Sequence, residues 1–153
     1  MSLKEQLRAD LTTAMKAREE LVSSTLRMAL AAITTEEVAG KTARELTDDD
    51  VLAVLGKEAK KRREAAAAFD DAGRTDLADK ERAEGEILAR YLPQPLTDEE
   101  VRAIIAEAVA AAAAAGATGP SAMGAVMKTV QSQVTGRADG AVVAALVRAA
   151  LSH

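Results

Sequence analysis

Two aromatic side chains, Phe69 and Tyr91, serve a chain of 153 residues, and no tryptophan joins them. A core must therefore be filled by Leu, Val, Ile, Met and above all Ala. These small, helix-favouring side chains let helices approach closely and give a β-sandwich little to interleave. With 48% hydrophobic residues there is material for one ordinary domain or two small ones. The expected fold class is all-α, an N-terminal helical domain of about four helices followed by a small C-terminal three-helix domain.

Local signals place the helices. Ser2 with Glu5 is a capping box, and Leu3, Leu7, Leu11 and Met15 follow at four-residue spacing as one apolar stripe. A second helix is expected from about Glu20 to Val38, with Val22, Leu26, Ala29, Leu30 and Ile33 as its apolar face and Gly40 as its stop. Thr47, ahead of three aspartates, opens a third helix reaching Ala72, and Gly73 ends it. Thr75 and Asp76 begin a fourth that lasts until the Leu-Pro-Gln-Pro of residues 92–95, where two prolines forbid continuation.

That proline hinge is also a change of composition. Residues 1–92 hold 16 of the 20 Lys and Arg and 19 of the 24 acids, so a domain boundary is expected there, with domains at 1–92 and 96–153. Beyond it Thr97 and Glu100 form another capping box ahead of an Ala-rich helix running to Gly116. Shorter helices from about Ser121 to Gln133 and from Gly140 to Leu151 complete the tail.

Composition excludes several classes of function. Without cysteine there is no disulfide framework, thiolate metal site or thiol nucleophile. The sole histidine is His153, so the Glu-x-x-His pairs of helical di-metal sites have no basis; no metal and no cofactor are expected. Phosphate loops, dinucleotide fingerprints and serine elbows are missing, so catalysis by this chain alone is not expected. The low-charge run 108–126 is broken by Gly116, Gly119 and Pro120 and does not read as a membrane span. Lys4, Glu5, Arg8 and Asp10 stand where a signal peptide would be apolar, so a cytoplasmic protein is expected.

Charge patterning singles out two sets of residues on the third helix. Val51, Leu52, Leu55, Ala59, Ala66 and Phe69 share one face, and Arg62 falls inside it. On the fourth helix Leu77, Leu88 and Tyr91 share a stripe with Glu81 and Glu84. An antiparallel pair turning at Gly73 puts position 62 level with 84–86, which predicts an Arg62 to Glu84 ion pair with Glu81 beside it. The plainer reading is that Arg62 snorkels to solvent. Lys57, Lys60 and Lys61, opposite the apolar stripe, form the densest basic patch. It is either a phosphate-contacting surface or a solvated face balanced by Glu58 and Glu64.

The tail carries two motifs, Met-Gly-Ala-Val-Met-Lys at 123–128 and Gly-Arg-Ala-Asp-Gly at 136–140. Gly124 inside a helix permits close approach of a neighbouring helix or ligand, with Met123, Val126, Met127 and Val130 as the apolar face. Gly136 and Gly140 bracket a turn in which Asp139 caps the last helix and Arg137 is displayed beside it.

With Glu81, Glu84 and the Tyr-Leu-Pro of 91–93, these motifs resemble the GatB/YqeY family over essentially the whole chain. The resemblance implies a helical N-terminal domain joined to a small domain similar to the tail of the B subunit of the tRNA-dependent amidotransferase. In that enzyme, which makes Gln-tRNA or Asn-tRNA, the tail is implied to contact tRNA, while the catalytic sites lie elsewhere. Gly124, Val126, Met127 and Lys128 match the tail's Gly-x-Val-Met-Lys, and Gly136, Arg137 and Ala138 match its Gly-Lys-Ala. Asp139 and Gly140 depart from its Asn-Pro and follow the free-standing members.

The resemblance implies a tRNA-binding or tRNA-amidotransferase-related accessory protein. It is linked to carbon-nitrogen ligase chemistry that uses glutamine as amido-nitrogen donor, and has no catalytic site of its own. Lys128 and Arg137 would meet phosphate, Gly124 and Gly136 would admit it closely, and Lys57, Lys60 and Lys61 would extend the footprint. The partners expected are tRNA and a protein of tRNA metabolism, with no membrane; oligomeric state is open. The rival is a helical protein-interaction module without a nucleic-acid role, favoured by the net charge of −4 and the lack of stacking aromatics.

Overall fold

A computed structural model of the protein describes residues 1–152; the expectation about His153 lies outside them. Among the described residues the chain is all-helical: α1 (Leu3–Lys16), α2 (Glu20–Glu37), α3 (Asp48–Asp71), α4 (Thr75–Ala89), α5 (Asp98–Ala114), α6 (Met123–Val134) and α7 (Gly140–Leu151), with a 3₁₀ turn at Gly119–Ala122. The helices fall into two compact units, Met1–Leu92 and Pro93–His153.

In the first unit, Ser2 and Thr47 cap α1 and α3 through complete capping boxes with Glu5 and Asp50. Each satisfies donors that a helix start would otherwise leave orphaned. Leu7, Leu26, Ile33, Val51, Leu55 and Leu88 are fully or almost fully buried where α1–α4 meet.

Several faces differ from the sequence expectation. Met15 is 50% exposed while Ala14 is buried. A four-residue spacing walks about 40° around the helix at each step, so Met15 has drifted off the stripe that Leu7 and Ala14 share. α2 also buries Ser23 and Thr25, and the Thr25 hydroxyl donates to the Leu21 carbonyl at 2.8 Å, which removes the cost of burying it. Val22 and Leu30 are only half-buried. Gly40 does not stop α2: the helix ends at Glu37 and the Arg44 amide returns to the Glu37 carbonyl. On α3 and α4, Val54 and Ile87 join the core, while Leu52, Phe69 and Leu77, and Tyr91 just beyond α4, stay half-buried. The Tyr91 hydroxyl donates to the Asp10 carboxylate at 2.6 Å, tying the end of the unit to α1.

The second unit is built almost wholly on valine. Val126, Val130 and Val134 of α6 and Val143, Val147 and Leu151 of α7 recur every four residues and meet Val101, Ile105 and Ala108 of α5. Thr97 and Glu100 complete a third capping box, and the Asp139 carboxylate accepts from the Ala141 amide at the start of α7. The helix expected from Ser121 is instead the short 3₁₀ turn followed by α6 at Met123, because Pro120 suits a first turn but supplies no amide.

Candidate nucleic-acid interface

Lys128 lies on α6 on the side away from the valine stripe. It is exposed, and among the described residues it makes no ion pair or side-chain hydrogen bond. Met123 and Met127 are half-buried against the core of the unit. Gly124 does not serve a neighbouring helix: a Cβ built there meets no atom within 4 Å, so the expected close packing is absent and the position opens outward. Gly136 has φ of +76°, a left-handed conformation that a side chain would strain, which accounts for glycine in the turn.

Arg137 corrects the expectation of a displayed cation. It is half-buried, its Nε donates to the Gln94 carbonyl at 3.1 Å, and its own carbonyl accepts from the Leu96 amide at 2.9 Å. Proline at 93 and 95 removes two amides that could have tied this segment down, and the carbonyl between them is offered to another donor. Arg137 supplies it. The Glu100 carboxyl is held below the usual range, first by the Thr97 backbone and hydroxyl, with the Arg137 charge adding to the effect. Part of the Arg137 field is thus spent inside the tail.

In the first unit, Lys57 and Lys61 are exposed, and Lys61 Nζ is 3.4 Å from Glu58 Oε1. Lys60 departs from the expected open face, being half-buried and already engaged.

Arg62 stands in a cluster of three carboxylates. Its Nε is 3.1 Å from Glu84 and 3.7 Å from Glu81, and its Nη1 is 3.5 Å from Glu58. Nη2 lies 3.2 Å from Met28 Sδ. A Cβ at Gly85 would come 3.7 Å from Arg62 Cβ, so glycine there leaves room for α4 beside the arginine. Sequence reasoning missed Glu58, although its place four residues before Arg62 is the ordinary spacing of a helical ion pair. Met28 gives no sequence signal of this kind. Among the described residues no group of three or more His, Cys, Asp or Glu is arranged to hold a metal ion. Among the described residues no single helix is long and apolar enough to cross a membrane.

Together these features define an all-helical protein with an exposed lysine on its tail and a charge cluster inside its first unit. The chain belongs to the YqeY-like protein family, whose model matches residues 4–151. It is 40% identical to an uncharacterized protein of Schizosaccharomyces pombe over 94 residues, 61% of this chain and 74% of that one. Two fungal proteins named altered inheritance of mitochondria protein 41, mitochondrial, are also similar. The one from Clavispora lusitaniae is 34% identical over 66% of this chain and 59% of its own length. The one from Pyrenophora tritici-repentis is 33% identical over 87% and 71%. With those two named as mitochondrial, a cytoplasmic location does not extend across the relatives.

Proposed function

We propose that this protein is a tRNA-binding accessory protein related to the tRNA-dependent amidotransferases, without catalytic residues of its own. Its two units act as domains, four helices in 1–92 and three in 96–153, joined at 92–95, and it works in the cytoplasm. The observation that carries the reading is Lys128, a cation left without an internal partner on the tail helix whose sequence resembles the amidotransferase tail. Beside it, Gly124 leaves open space that a ribose-phosphate backbone can enter. Arg137 has a double part, bracing the 94–96 segment through Nε and lending its charge to the same turn. Lys57 and Lys61 add exposed charge on the first unit, while Lys60 is a weaker candidate because it is engaged. Net charge of −4 makes such binding local and salt-sensitive.

A second reading, a protein-interaction module, is favoured by the net charge of −4 and the lack of stacking aromatics. Fluorescence anisotropy of labelled bulk tRNA across a salt series separates the two. Micromolar or tighter binding that weakens steeply with salt supports the first; no binding at low salt favours the second.

A further inference from the structure

Away from the tail, three cations gather at one corner of the first unit. Arg18 follows α1, Arg27 lies on α2 and Lys80 on α4, and with Met15, Leu21 and Glu20 they line an open concavity of about 700 Å³. Glu20 is one carboxylate against three cations. Among the described residues none of the three cations makes an ion pair. Three exposed cations on one concave surface against a single carboxylate give it a positive potential.

Arg18 is also in a conformation that works against the fold. α1, α3 and α5 end in the same turn, with paired amide bonds returning to the last helical carbonyls: Arg18 to Met15 and Glu19 to Ala14, Gly73 to Asp70 and Arg74 to Phe69, Gly116 to Ala113 and Ala117 to Ala112. The turn needs a left-handed residue, and α3 and α5 use Gly73 (φ +75°) and Gly116 (φ +90°). α1 uses Arg18 at φ +58°, where a side chain is strained. Arg18 lines the same concavity as Arg27 and Lys80, with exposed Met15 and Leu21 also on its wall.

We propose that this corner binds nucleotide phosphates: Arg18, Arg27 and Lys80 grip the phosphate oxygens, and Met15 and Leu21 pack against the attached ribose or base. The phosphates come from the backbone of tRNA or from a free nucleotide; in the first form the inference rests on the RNA-binding reading.

Binding of bulk tRNA and of ADP is measured for the wild-type protein, for Arg18→Gly, for an Arg27→Gln, Lys80→Gln double variant and for Lys128→Ala, with melting temperatures for each. Arg18→Gly relieves the strained turn, so it is expected to melt higher than wild type and yet bind about tenfold more weakly, a loss that unfolding cannot explain. The double variant should show a comparable loss. Weakening toward tRNA identifies the polynucleotide as the source, and weakening toward ADP alone identifies the free nucleotide. If both corner variants bind tRNA and ADP as wild type does while Lys128→Ala weakens tRNA binding, the corner site is overturned and the RNA reading stands. If wild type binds ADP but not tRNA and the corner variants lose it, the corner site stands and the RNA reading falls. If wild type binds neither, both fall.

Discussion

Arg62 Nε lies 3.1 Å from Glu84 Oε2 across the α3–α4 interface, with the Glu84 side chain 9% and the Arg62 side chain 14% exposed. Neither Arg62 Nε nor Glu81 Oε2 completes an aligned hydrogen bond, so attraction of charge holds the cluster. Removing Arg62 leaves Glu58, Glu81 and Glu84 facing one another with no cation between them. Arg62→Ala is expected to cost about 3 to 5 kcal/mol in urea unfolding. Glu81→Gln, at a more exposed site that still leaves two carboxylates on the arginine, should cost less than about 1 kcal/mol. Equal costs would show that Arg62 is not the centre of the cluster.

Arg18→Gly removes a side chain from a left-handed position at the end of α1. It should stabilise the protein by about 1 kcal/mol, as a residue other than glycine or asparagine is disfavoured there by about 1 to 2 kcal/mol. Loss of stability in denaturant titration would mean that Arg18 makes a contact outweighing its strain.

The Tyr91 hydroxyl is pushed above its ordinary pKa of 10.0, first by burial and then by donating to Asp10. A phenol that ionises later in the folded protein than in the unfolded chain gives stability present below pH 10. That stability is lost as pH rises through the folded value. Denaturation midpoints should therefore fall above about pH 10, and Tyr91→Phe should flatten this part of the profile. An unchanged slope in the variant would assign the alkaline loss to other groups.

The capping-box carboxyls of Asp50 and Glu100 are shifted the other way, held low chiefly by the Thr47 and Thr97 backbone amides. Their contribution is present above the ordinary carboxylate range and is lost as pH falls through their depressed folded values. Glu100→Gln keeps a capping side chain but cannot titrate, so its acid unfolding should be less steep than that of wild type; identical profiles would contradict this.

What was legible in the sequence was mostly local. Two of the three capping boxes were readable, from Ser2 with Glu5 and from Thr97 with Glu100, because each is a bond between residues three apart; Thr47 was readable only as an N-cap, and its box with Asp50 is seen in the structure. Arg62 was readable as an inward charge from helical periodicity, and the turn at Gly73 indicated which acids face it. The left-handed Arg18 carried no signal, since only glycine or asparagine advertises that conformation. Nor could the Arg137 clasp be read, as the carbonyl it serves is 43 residues away. In the candidate interface Lys128 was singled out by family resemblance alone, and its exposure is seen only in the structure. Sequence reasoning gave Arg137 too much freedom and Gly124 a packing role that the open space around it does not support.

In the proposed function the tail meets RNA through Lys128. Because Arg137 also braces the tail, the direct measurement compares tRNA affinity and its salt slope for wild type, Lys128→Ala and Arg137→Lys. Lys128→Ala should fold normally, bind more weakly and lose about one unit of the log–log salt slope. Arg137→Lys keeps the charge but lacks Nε, so it should bind nearly as well while melting lower. Wild-type affinity and slope in Lys128→Ala would contradict the account.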